Sequence, residues 1–144
     1  MTLHLLKLCV GADSIRDLEE WIEERIAEKA RRGEPPEHAH VTRMVPKRRD
    51  ELLDGGSLYW VIRGQIAARQ QLRDVVPFTD QDGIGRCRLV LDVAVKTVLP
   101  RPFRPFQGWR YLAAKDAPAD LAKGDDVAAM PEALRRELQA LGLL

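Results

Sequence analysis

The sequence predicts an α+β domain: a small, mostly antiparallel, partly open β-barrel with flanking helices at the N-terminus and the C-terminus. Three observations predict it. Two segments with helical apolar spacing, near residues 15–31 and 131–141, lie outside a block of strands instead of alternating with it. Within the block, two long runs with alternating apolar residues are joined by Asp82-Gly83, the sharpest hairpin signal in the chain. Two such strands must close on others or pack on helices, and a barrel does so with the least exposed edge. At 144 residues, 45% hydrophobic and 31% charged, the chain is read as one domain, 1–144, long enough to bury a full core.

Leu3 to Val10 is an apolar run with polar interruptions and reads as a buried first strand. "GADS" ends it, and Ser14 suits an N-cap, with Asp17 three residues on as a weak capping box. Ile15, Leu18, Trp21, Ile22 and Ile26 follow at helical spacings opposite a glutamate-rich face. That helix should run to about Arg31 and stop at Gly33, with Trp21 in the core. "HAHVTRM" reads as a short strand with Val41 and Met44 inward. Pro46 suits the first turn of a short helix closed by Gly55 and Gly56. Lys47, Arg48 and Arg49 at its start oppose the helix dipole; a bound anion would relieve that cost, or Asp50, Glu51 and Asp54 already balance it.

Leu58, Trp60 and Ile62 then alternate with Tyr59, Val61 and Arg63, Gly64 marks a bend or bulge, and the pattern resumes from Ile66 to Val75. Beyond the Asp82-Gly83 turn, one long strand from Arg86 to Leu99 should carry Cys87, Leu89, Leu91, Val93 and Val95 on one face. "RPFRPFQGWRYL" reads as a proline-stiffened crossing, and "MPEALRRELQALGLL" as a terminal helix with Leu134, Leu138 and Leu141 in one stripe.

Net charge is +1 but unevenly spread. Residues 38–112 hold 13 Lys/Arg against 7 Asp/Glu, a net of +6, between two acidic ends. A basic centre suits a phosphate-bearing ligand, and equally an acidic helix packed beside a basic sheet. Cys9 and Cys87 lie in apolar stretches and read as reduced, half-buried thiols, with a disulfide as the alternative if their strands are neighbours. The N-terminus lacks the basic leader of an export signal, and no apolar run approaches a membrane span, so the expected location is cytoplasmic with no membrane partner. The oligomeric state is left open.

Catalytic signatures are absent: there is no Walker-type loop, G-x-S-x-G elbow or H-E-x-x-H, so no cofactor is expected and no catalytic residue is assigned. His38 and His40 share one face of a strand but have no third partner at metal spacing, so no metal is expected and His40 is read as a polar group at a pocket mouth. Four of the eight aromatics fall between Arg101 and Leu112, with three arginines. Phe103 and Phe106 are read as structural. Trp109 and the arginines stand between two readings, a stacking and phosphate-binding strip or a buried ring with solvated cations.

The stretches "LHLLKLCVGADS", "HVTRMVPKRRDELLDGGSLYWVIRG", "ARQ", "CRLVLD" and "RPFQGWRYL" identify the chain as similar to a family of small, mostly alphaproteobacterial proteins described as a domain of unknown function, number 1489. A remoter resemblance, over about a third of the chain, is to the central strands of PUA-like domains of the EVE and ASCH branches. It rests on "GGSLYWVIRGQIAARQQLRDV" and on the run Val93, Val95, Leu99, Pro100, Arg101, Pro102. It implies a small barrel that binds RNA or modified bases. Some ASCH members are hydrolases using a lysine, a threonine and a glutamate, which here would be Lys47, Thr42 and Glu51.

The leading expectation is therefore a PUA-like module recognising RNA or a modified nucleotide. Its basic side would be Arg43, Lys47, Arg48, Arg63 and Arg110; its other site residues would be His40, Trp60 and Trp109. The alternatives are a small amidohydrolase acting on a modified nucleoside, and a homodimeric interaction domain using a sheet edge.

Overall fold

A computed structural model describes residues 2–121. The expected terminal helix lies outside the described residues. Seven strands form one mixed sheet: β1 (Leu3–Leu8), β2 (His38–Thr42), β3 (Ser57–Ile62), β4 (Gln65–Thr79), β5 (Gly85–Leu91), β6 (Lys96–Pro102) and β7 (Trp109–Ala113). Two helices, α1 (Ile15–Arg31) and α2 (Arg49–Leu53), lie between the first three strands. The sheet order is β2-β5-β4-β3-β1-β7, with β6 added to β4. β1 runs parallel to β3, and all other pairings are antiparallel. The α+β class holds. The sheet is not a closed barrel, because among the described residues no ladder joins its two end strands, β2 and β7. It nevertheless curls: β2 brings His40 edge-on to Trp60 of β3, 5.4 Å between ring centres, and the Met44 carbonyl just after β2 accepts from Trp109 Nε1 of β7 at 2.7 Å.

Both faces of the central strands are covered, and every residue of β3 is buried. That is the condition in which a strand reads as a continuous apolar run. On one face Leu5, Leu58, Trp60, Ile62, Leu89 and Trp109 pack with Ile15, Leu18 and Ile22 of α1. On the other, Leu6, Tyr59, Val61, Val98 and Leu112 pack with Phe106 and the partly buried Phe103. Those two phenyl rings meet edge to face at 5.5 Å, so their structural reading stands.

The start of α1 follows from its sequence: Ser14 Oγ accepts from Asp17 N–H (3.1 Å), and the Asp17 carboxylate accepts from Asp13 N–H (3.1 Å). Trp21 does not join the core. It is 36% exposed at the margin of the buried stripe, with the Arg25 guanidinium 3.8 Å from the ring centre.

β2 is turned over relative to expectation. Its register sets His40 opposite Leu89 and Thr42 opposite Cys87, both buried in the main core. His38, His40 and Thr42 therefore face in, while Val41 and Met44 face solvent. The helix after it begins at Arg49 instead of Pro46, which is buried ahead of it. The long strand expected over 86–99 is two strands. Asp92 N–H donates to Gln71 O (2.9 Å), and its carboxylate accepts from Arg73 (2.9 Å). The chain turns there, Val93 is exposed, and β6 leaves to pair with the first half of β4.

Gly64 is neither bend nor bulge. Arg63 (φ 52°) and Gly64 (φ 75°) form the two-residue turn between β3 and β4. Positive φ at both centres is the geometry that matches strand twist, and an ordinary side chain there costs roughly 1–2 kcal/mol. Arg63→Asn should therefore raise stability by about 0.5–1 kcal/mol, read as a shifted urea midpoint with an unchanged slope; a lower midpoint would contradict the turn assignment.

Candidate functional site

The expected site residues separate into an outer and an inner group. On the outside, the loop from Arg43 to Arg48 packs over β7. Tyr111 Oη accepts from the backbone N–H of Lys47 (3.0 Å) and of Arg48 (3.2 Å). The Arg48 guanidinium lies 5.6 Å from the Tyr111 ring centre and pairs with Glu51, its Nε donating to Oε1 at 3.0 Å. That ion pair raises the Arg48 pKa and lowers that of Glu51. Lys47, Arg48, Arg49, Asp50 and Glu51 line a shallow depression of about 250 Å³. Met44 and Val45 are exposed beside it. Among the described residues Arg43 and Lys47 have no ion-pair partner.

Two expected members are elsewhere. Arg63 sits at the β3–β4 turn, 4.0 Å from Asp13. Arg110 leaves β7 on the face opposite Tyr111, its guanidinium 4.8 Å from the Phe106 ring centre.

The two tryptophans are inside, not on the surface. Trp60 is 2% exposed and Trp109 7%. Each indole N–H is satisfied internally, Trp60 by Gln70 Oε1 (2.9 Å) and Trp109 by the Met44 carbonyl (2.7 Å). A buried indole whose one donor is taken is a structural ring. Yet the two share a row. Lys7 of β1 is the register partner of Trp60 on one side and of Trp109 on the other. Its side chain alternates in phase with Leu3, Leu5 and Cys9 of the main core, so it issues between the two indoles. Burial lowers its pKa, while the neighbouring Cys9 acts in the opposite sense. Burial pushes the Cys9 thiol itself up to about 11. Cys9 and Cys87 are both free and buried.

Across from this row stand His40 and His38. Each is held at about 4, mainly by burial and then by cations: Lys7 and Arg25 for His40, Arg25 and Lys29 for His38. The Nε2 atoms of both are buried without a hydrogen-bond partner.

A family model described as "Protein of unknown function (DUF1489)" matches residues 5–144, nearly the whole chain. The chain belongs to that family. No curated protein and no solved structure matches it. Of the three residues the hydrolase resemblance points to in this DUF1489 chain, Thr42 is buried, Lys47 lies ahead of α2, and Glu51, which lines the same depression as Lys47, is engaged by Arg48. No helix among the described residues is long and apolar enough to cross a membrane. Sequence reasoning missed Lys7, and it placed Tyr111 in the aromatic strip without choosing it as a site residue. Lys7 carried a signal, since a lysine in phase with Leu3, Leu5 and Cys9 must point where they point. Tyr111 carried only its place in the strip; its contact with the 43–48 loop depends on a segment 64 residues away.

Proposed function

We propose that the domain binds nucleic acid, recognising RNA or a modified nucleotide, on the outer surface around Tyr111. The observation that supports this best is the pair of hydrogen bonds from the Lys47 and Arg48 backbone to Tyr111 Oη. They hold two cations beside a ring that is 37% exposed, with Arg43 on the same loop. Cations supply the sequence-independent attraction for phosphates, and an exposed aromatic face stacks on a base. The net +6 of residues 38–112 favours the same ligand class. Arg63, Arg110, Trp60 and Trp109 drop out of the contact surface. A PUA-like origin and a cytoplasmic location go with this reading. What supports the former is a strongly curved sheet built on one long strand, β4, that carries β3 along one edge and β6 and β5 along the other.

Fluorescently labelled single-stranded RNA titrated across a salt series tests it. Three phosphate contacts, by Arg43, Lys47 and Arg48, predict a log–log salt slope of about −2, roughly −0.7 per phosphate. Joint replacement Lys47→Glu and Arg48→Glu should weaken binding at every salt concentration and flatten the slope by about 1.4. If neither RNA nor DNA binds at low salt, the proposal fails.

A further inference from the structure

The inner face of the sheet carries polar groups that its apolar packing does not explain. His38 is 5% exposed and its Nε2 has no partner. His40 is half-buried and its Nε2 is also without a partner. Leaving a buried polar atom unpaired costs roughly 1–3 kcal/mol, so two on neighbouring inward positions of one five-residue strand call for an occupant. The Lys7 ammonium, on a half-buried side chain that leaves the strand between the two indoles, has no ion pair or hydrogen bond among the described residues. The charges that act on the two imidazoles are all positive: Lys7, Arg25 and Lys29.

A cation is the wrong occupant for such a place. Two neutral imidazoles offer good metal-ligand atoms, but the cations that act on them oppose a metal ion, and among the described residues no group of three His, Cys, Asp or Glu could hold one. An oxyanion satisfies every open group at once. Its oxygens would accept from the Lys7 ammonium and from the Nε2–H tautomer of each imidazole. Lys29 is committed to the Glu37 carbonyl, and Arg25 to the face of Trp21. Lys7 and His40 are half-buried, and His38 is buried.

We propose that Lys7, His38 and His40 form an internal site for a small oxyanion, a carboxylate or a phosphate group. This site is separate from the outer basic patch and does not depend on nucleic-acid binding. Side-chain nitrogen NMR of the full chain at pH 7 tests it, with inorganic phosphate and acetate added in separate series at constant ionic strength against chloride. The expected result is a saturable shift of both His38 and His40 Nε2 with at least one of the two anions, and which one responds names the source group. Lys7→Met should weaken that binding about 10- to 100-fold, the consequence of removing one hydrogen bond to a charged group. Lys7→Arg, which keeps the charge, should retain most of it and serves if the methionine variant is poorly folded. The Lys47→Glu, Arg48→Glu variant should bind the anion unchanged, so failure here and failure of RNA binding are read independently. Absence of a saturable shift with either anion overturns the site, as does equal affinity in Lys7→Met.

Discussion

Gly56→Ala is expected to cost about 3 kcal/mol or more, the upper end of what overpacking a tight site does, and to leave little folded protein at 37 °C. A Cβ at Gly56 would stand 2.2 Å from Leu52 O and 2.3 Å from Leu3 O. Both are backbone atoms, so neither can swing away as a side-chain end would. Both are also committed. Leu52 O accepts from Gly56 N–H at 3.0 Å and so closes α2, and Leu3 opens β1, the strand that carries the main core and Lys7. Gly56 O in turn accepts from Leu72 N–H (2.9 Å), extending the β3–β4 ladder. One residue thus joins α2, β1 and β4, and a methyl group there must displace at least one of them. A domain of this size has roughly 5–15 kcal/mol in total, so the loss is a large share of it. Gly55→Ala is the internal control. Gly55 has φ +80° but no neighbour nearer than 3.9 Å, and its substitution should cost only about 1 kcal/mol, the strain of a left-handed alanine. Chemical denaturation of the two variants side by side decides the matter: equal losses would mean that the close approach at Gly56 is not real.

That pair also shows what could be read in advance. The sequence marks "GG" as a stop but not which glycine is indispensable, because part of the crowding comes from Leu3, 53 positions away. α1 was legible at both ends, since its cap, apolar stripe and Gly33 stop are local. The break between β5 and β6 was not: Asp92 turns the chain through bonds to Gln71 and Arg73, on a strand about 20 residues earlier. β2 misled for a different reason. In "HAHVT" the polar residues are the buried set, and a period of two says which residues share a face without saying which face is inward. The candidate site was legible only in part. Trp60 and Trp109 were picked out as ligand platforms and are core rings; His40 was picked out and does face inward with them, its Nε2 without a partner, whereas Lys7, in register with both indoles, was not.

Those histidines also set the second large effect, a loss of stability in mild acid. His38 and His40 have folded-state values near 4, and His4 is lowered too, by burial and by Arg69. In the unfolded chain each returns to about 6.5. The unfolded state therefore binds more protons than the folded state between those limits, and stability must fall as pH falls through that window. Above about pH 6.5 the stability is fully present; below about pH 4 the loss from His38 and His40 is complete. The displacement from 6.5 to about 4 sets a ceiling of about 3 kcal/mol per histidine, and solvent screening at a partly open site brings the expectation to about 1–2 kcal/mol each. The carboxylates enter only at the acid end of the window, where Glu51 is lowered from 4.5 by its hydrogen bond with Arg48. Asp74, Asp80, Asp92 and Asp120 are lowered from 3.8 by hydrogen bonds and arginine partners, so their contribution is lost only at more acid pH. Urea unfolding of the wild type from pH 7 to pH 4.5 should show the decline. His38→Asn with His40→Asn should remove most of it, because asparagine fills the polar position without titrating. The remainder belongs to His4, whose Nδ1 accepts from Ser57 N–H at 3.0 Å. A wild type whose stability stays flat across that range would show that the inner face admits protons freely, and would require His38 and His40 to be solvated there.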